Sequence, residues 1–164
     1  MRIRPADERD LEALTAIYNH AVEHSTATFD LRPQAPAERL DWLRAHNREN
    51  HPLLVAEEGT TVMGYASLSA FAKKPAYAST AELSLYVGEA FRRRGVGLAL
   101  AEAVLRLARE DSRTHLVLSL ITAENAASIA LHRRLGFTRF GVLPEAGWKF
   151  GRYLSVEYWG LLVG

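Results

Sequence analysis

The stretch FRRRGVGLAL, residues 91–100, sets three consecutive arginines directly before Gly-x-Gly and then turns apolar with helical spacing. Like charges side by side repel, and glycine is a poor helix former. An anion resolves both difficulties. The first turn of a helix carries unpaired N–H groups and a partial positive charge. Glycine lets a ligand approach that backbone closely, and Arg92, Arg93 and Arg94 add forked donors around it. The arrangement suits a polyanion of phosphate size. A P-loop would need G-x-x-x-x-G-K-[ST], which is missing. A dinucleotide fingerprint would need a third glycine at position 100, which is Leu100. Arg-x-x-Gly-x-Gly remains, carried by Arg92, Gly95 and Gly97. On this hexapeptide alone the competing reading is a solvated basic loop with a glycine N-cap.

Working outward, TAELSLYV at 80–87 alternates strictly: Leu83, Leu85 and Val87 share one face of a strand, and Glu82, Ser84 and Tyr86 share the other. The arginine loop thus joins a strand to a helix predicted over about 95–111. HLVLSLI at 115–121 is apolar almost throughout, as a strand covered on both faces would be. Asn125–Arg134 reads as a helix stopped by Gly136. Toward the N-terminus, Met1–Pro5 reads as a strand. Asp7 and Asp10 open a helix striped by Leu11, Leu14, Tyr18 and Val22. Residues 25–35 read as a loop, and Pro36 starts a second helix. Strands over 53–57 and 62–71 flank a turn at Gly59. Two more, about 139–147 and 152–163, flank Gly151. The order βααβββαβαββ predicts an α/β (mixed α+β) fold: one twisted, mixed sheet of about seven strands with helices on both faces. The 164 residues fit a single domain, 1–164.

Composition narrows the function. Lys+Arg number 20 and Asp+Glu 19, so the arginine run is a local feature on a balanced background, which argues against a nucleic-acid-coating protein. With no cysteine, disulfides, thiolate zinc sites and a cysteine nucleophile are excluded. His20 and His24 stand at i,i+4, but without an HExxH pattern or an evident third ligand they predict no metal site. The charged start MRIRPADERD lacks the apolar core of a signal peptide, and no run reaches the ~18 apolar residues of a membrane span. The expectation is a cytoplasmic protein with no membrane partner.

The loop Arg92–Gly97 resembles the pyrophosphate loop of the GNAT acyl-CoA-dependent N-acetyltransferases, and ENAASIALHRRLGF at 124–137 resembles that family's second signature. Several segments are similar to the phosphinothricin/methionine sulfoximine N-acetyltransferase branch: STATFDLRPQ (25–34), KPAY (74–77), STAELSLYV (79–87) and GWKFGRYLSVEYW (147–159). The resemblance spans essentially the whole chain. It implies the GNAT fold and transfer of acetyl from acetyl-CoA, without a metal, to the primary amine of a small amino-acid-like molecule. It also implies that the chain can form a homodimer.

The resemblance distributes roles over the residues. Acetyl-CoA contacts fall to Arg92, Arg93, Arg94, Gly95, Val96, Gly97 and Leu98, to the strand at Leu85, Tyr86 and Val87, and to Asn125 and His132. A backbone N–H near Val87 polarises the thioester. An α-amino group, with a pKa of ~7.7–8.0 in peptides, must lose a proton before it attacks, and Glu82 is the candidate base. Two other readings of Glu82 stand beside that one: a site for the substrate ammonium, and a solvent-exposed strand carboxylate. His132 is a candidate proton donor or hydrogen-bond donor to the departing thiolate, or a helix histidine packed on the sheet; Tyr86 is the alternative donor. The branch usually places Arg before Pro-Ala-Tyr to receive the substrate carboxylate; here the position holds Lys74, after Lys73. As aromatics, Phe29, Tyr77 and Trp148 have two readings of their own, apolar walls for the substrate or ordinary core. Acetylation of another amine, such as a peptide N-terminus or a polyamine, and a non-catalytic acetyl-CoA-binding module are the competing functions.

Overall fold

The computed structural model describes residues 1–164. Seven strands form one mixed sheet: β1 (Arg2–Pro5), β2 (Leu53–Glu58), β3 (Thr61–Ala70), β4 (Thr80–Val87), β5 (Leu116–Thr122), β6 (Thr138–Lys149) and β7 (Arg152–Leu162). The helices are α1 (Leu11–His24), α2 (Pro36–Arg44), α3 (Val96–Glu110) and α4 (Ala126–Arg134). This is the element order the sequence predicts. Spatial order is β1-β2-β3-β4-β5-β7-β6. Every pairing is antiparallel except β4–β5, which is parallel and joined through α3.

Alternation along the strands divides the core between two faces. Leu54, Ala66, Leu83 and Val117 turn toward Leu100 and Val104 of α3, with Ile129 of α4 packed against the same cluster. Leu53, Val55 and Tyr65 turn the other way, toward Leu14 of α1 and Leu43 of α2. Asp7 caps a short 3-10 turn, Glu8–Asp10, in a reciprocal capping box rather than α1 itself. Asp10 also accepts two 2.8 Å bonds from the buried Arg4 guanidinium, which bonds Glu57 at 2.8 Å. That network ties the first turn to β1 and β2. No helix is long and apolar enough to cross a membrane.

One irregularity positions the site. β4 and β5 pair only over Thr80↔Leu116, Ala81↔Val117 and Glu82↔Leu118. Beyond Glu82 the two strands part, while β4 stays paired with β3 as far as Gly64↔Val87. The sheet is therefore split toward the C-terminal ends of its two parallel strands.

Candidate active site

A cavity of about 280 Å³ fills the split. Its wall includes Glu82–Tyr86 of β4, Ser119–Thr122 of β5, Asn125, Ser128 and His132 near α4, and Ala27–Phe29 from the loop after α1.

The backbone of β4 is available there. Phe71 N–H donates to Thr80 O (3.4 Å) and Gly88 N–H to Met63 O (2.8 Å), so even-numbered residues of β4 exchange their bonds with β3. By antiparallel alternation, Leu83, Leu85 and Val87 turn their N–H and C=O groups toward β5. Since β5 has already diverged, the groups of Leu85 and Val87 have no strand to pair with.

Beside the split lies the arginine loop. Gly95 caps α3 in the left-handed region (φ 78°), and Arg93 also has positive φ (61°). Arg94 pairs with Glu58 at 3.0 Å, whereas Arg92 and Arg93 are exposed and make no ion pair. Gly97 sits in the first turn. A Cβ there would meet only Leu85 Cδ2 and Val87 Cγ2 at 3.6 Å and Leu131 Cδ2 at 3.9 Å, ordinary packing distances. The fold itself does not require glycine at 97. Val96 is buried, so within this turn Gly97 and Leu98 are the more accessible positions.

Glu82 is half-buried in the cavity wall, and its carboxylate makes no ion pair or hydrogen bond inside the chain. Burial alone raises its pKa above the ordinary carboxylate value. Ser84 and Tyr86 follow on the same face. Tyr86 packs against Tyr18 (5.4 Å between ring centroids) and Tyr65 (5.5 Å), and burial keeps its phenol protonated.

His132 is 3% exposed. Its Nδ1 lies 2.7 Å from Ser128 O, a carbonyl that can only accept, so Nδ1 carries the proton. Nε2, 2.8 Å from Ser119 Oγ, then accepts from that hydroxyl. Burial lowers the His132 pKa. The ring is thus neutral at neutral pH with its one proton committed, which disfavours the expected donation to a thiolate and favours the packed-histidine reading. Asn125 caps α4, accepting from Ser128 N at 3.2 Å.

The expected substrate wall is only partly assembled. Phe29 and Glu82 line the cavity; Lys74, Tyr77 and Trp148 do not. Lys74 is exposed at the start of the 3-10 turn Pro75–Tyr77. Tyr77 leans on Phe71, 5.6 Å between centroids, and remains 45% exposed. Trp148 lies across from Tyr153 in the β6–β7 hairpin, with 4.6 Å between centroids and both rings exposed. Composition and spacing gave no signal for Lys149, which does contribute. Its buried ammonium donates to Ser25 O (2.8 Å) and Thr28 O (2.7 Å), tying the Phe29 loop to β6. His20 faces Glu89 at 3.1 Å.

A sheet split beside a glycine-opened helix leaves a free strand edge and a helix N-terminus open to one extended, anionic ligand. The sequence pattern of the Acetyltransferase (GNAT) family matches residues 14–137. An L-methionine sulfoximine/L-methionine sulfone acetyltransferase of Salmonella typhimurium is 39% identical over 158 residues, covering 96% of this chain and 92% of that protein. Among solved structures, a ribosomal-protein-alanine N-acetyltransferase from Brucella melitensis superposes with a TM-score of 0.95 at 41% identity, covering 99% of each chain. An acetyltransferase from Salmonella typhimurium, solved with its cofactor acetyl-CoA, superposes at 0.96 with 38% identity, covering 100% of this chain and 94% of that one. The chain belongs to the GNAT family. It is an N-acetyltransferase.

Proposed function

We propose that the protein, acting as one catalytic unit over residues 1–164, transfers acetyl from acetyl-CoA to the amino group of a small amino-acid-like acceptor of the methionine sulfoximine or phosphinothricin type. The observation that carries this reading is Glu82. It is an unpaired, half-buried carboxylate in the wall of the split, with a pKa raised by burial and no partner inside the chain. The activities of the relatives and the solved acetyl-CoA complex support the co-substrate and the acceptor class.

The residues present fit acetyl-CoA. Unpaired Arg92 and Arg93, with the N–H groups of the first turn of α3, would hold its pyrophosphate. The free backbone of Leu85 and Val87 would pair with its pantetheine arm, and Val87 N–H would donate to the thioester oxygen. Asn125 would add a side-chain amide at the mouth. Glu82 accepts a proton from the acceptor ammonium, directly or through one water. The freed amine attacks the thioester carbon in a single displacement. The N–C bond forms, the C–S bond breaks, and a second proton from the amine nitrogen ends on the sulfur. With His132 neutral and its proton committed, that nitrogen supplies the sulfur's proton without a further side chain. Tyr86, held protonated by burial, is the second.

Thiol release from acetyl-CoA, followed with methionine sulfone, methionine sulfoximine, phosphinothricin, ordinary amino acids, polyamines and a short peptide, tests the reading. Turnover of the first three, reduced at least about 100-fold in Glu82→Gln with acetyl-CoA affinity kept, is expected. Turnover confined to peptide or polyamine would discard the acceptor class. An active Glu82→Gln would discard the base. We also propose a homodimer, since edge strand β6 exposes Phe140, Val142 and Leu143; a monomeric sedimentation coefficient would refute it.

A further inference from the structure

Arg39 of α2 is 6% exposed, yet no carboxylate lies within ion-pair distance of it. Its Nη2 donates to Tyr65 Oη at 3.2 Å. Its Cζ sits 4.3 Å from the Tyr18 ring centroid and 3.8 Å from that of Trp42, so two aromatic faces hold the plane. Nε is sealed from solvent without a hydrogen-bond partner. Burying a guanidinium is costly unless an anion compensates it, and cation–π contacts compensate only in part.

The guanidinium borders a second cavity, of about 310 Å³. Ser84 and Tyr86 stand in the wall of this cavity and also in that of the main split, so the two meet across β4. Arg39 is the one Lys or Arg in either wall. The wall also holds two carboxylates, but both are engaged: Asp30 accepts from the Tyr18 hydroxyl, and Glu38 faces Arg32 at 3.4 Å. Ser84 stands two residues from Glu82 on the same strand face, about 7 Å away. A zwitterion lying along β4 therefore finds an unpaired carboxylate toward one end and an unpaired cation toward the other.

We propose that Arg39 receives the carboxylate of the amino-acid acceptor, in the role the sequence had suggested for Lys74. The planar fork, clamped between Tyr18 and Trp42, is oriented in advance for two-point binding of a carboxylate, which a lysine on an exposed turn is not. This rests on the amino-acid reading of the acceptor given above, and it predicts that a carboxylate-free amine is a poor substrate.

The test compares kcat/KM for methionine sulfone and for its α-carboxamide, in the wild-type protein, Arg39→Gln and Arg39→Lys. Wild type should prefer the acid on the order of 100-fold, the loss expected when a charged two-point partner goes unused. In Arg39→Gln the acid-to-amide ratio should collapse toward one, chiefly through KM of the acid, with Arg39→Lys between. The ratio is insensitive to the fraction of folded enzyme, so a partly unfolded variant still reports. Equal losses on acid and amide in both variants would overturn the proposal and make Arg39 a packing residue. A wild type indifferent to the carboxylate would overturn it too, while leaving the amino-acid reading intact. Turnover of carboxylate-free amines only would remove that reading, and the Arg39 assignment with it.

Discussion

Gly97→Ala separates what the loop does for the fold from what it does for the ligand. The added Cβ would touch only side chains, at 3.6–3.9 Å, so no protein atom has to move. Alanine is also the better helix former, by up to about 1 kcal/mol in a helix interior and less in a first turn. For a chain this size the melting temperature should stay level or rise by no more than about 4 °C. Binding should move the other way. A methyl group at position 97 stands beside Leu85 and Val87, whose backbone would take the pantetheine arm, so it crowds the ligand against the first turn of α3, where a hydrogen bond to a charged group is worth about 1.5–3 kcal/mol. Losing one corresponds to about a 10- to 150-fold rise in Kd for acetyl-CoA. Calorimetric titration with acetyl-CoA, beside a thermal melt of the same sample, reads both numbers. Gly95→Ala is the control. Its φ of 78° penalises any side chain, so it should lower the melting temperature by a few degrees. An unchanged Kd in Gly97→Ala would refute the assignment of this turn to the pyrophosphate. A large drop in its melting temperature would refute the packing argument.

Three further outcomes follow from the same geometry. Because burial raises the Glu82 pKa, the acid limb of kcat/KM should inflect above the ordinary glutamate value of 4.5, and the limb should vanish in Glu82→Gln; a limb that survives belongs to another group. His46 and His132 are both buried with pKa values pushed below 6.5, so the unfolded chain takes up protons first. Their contribution is complete above about pH 6.5 and is lost as pH falls below it, so melts between pH 7 and 5 should show falling stability, less steeply in His132→Asn; a flat profile would contradict the burial of both rings. Lys149→Met should strand the Ser25 and Thr28 carbonyls at a cost of about 1–3 kcal/mol each and raise KM for the acceptor more than Kd for acetyl-CoA, since it frees the loop bearing Phe29; equal effects on the two ligands would argue against that loop as an acceptor wall.

The elements were legible because their signals are local. Period two in TAELSLYV, the apolar run HLVLSLI and the glycine stops at Gly59, Gly136 and Gly151 each act within one strand or turn. The arginine loop was legible for the same reason, since cation, glycine and helix start are adjacent in the chain. What escaped is what depends on distant segments meeting. Nothing in AERLDWL says that Arg39 will be enclosed by Tyr18 from α1 and Tyr65 from β3. Lys149 looks like one more surface charge until β6 is seen against the loop at 25–28. Lys74, Tyr77 and Trp148 carry no local signal that separates cavity wall from surface, and each sits on a turn or hairpin that the core does not pull inward. The strand order beyond β5 was also open: β7 enters between β5 and β6, a choice made by long-range pairing.

The split between β4 and β5 makes the folded state a variable of the cell's chemistry. The sheet leaves the Leu85 and Val87 amides outside its own ladder, so under the proposed pairing with acetyl-CoA their hydrogen exchange should slow when acetyl-CoA is added. A ligand bound only by the folded chain stabilises it by RT ln(1 + [L]/Kd), about 2.7 kcal/mol at a hundredfold excess over Kd. The protein saturated with acetyl-CoA should therefore melt higher and resist protease longer than the same protein without it.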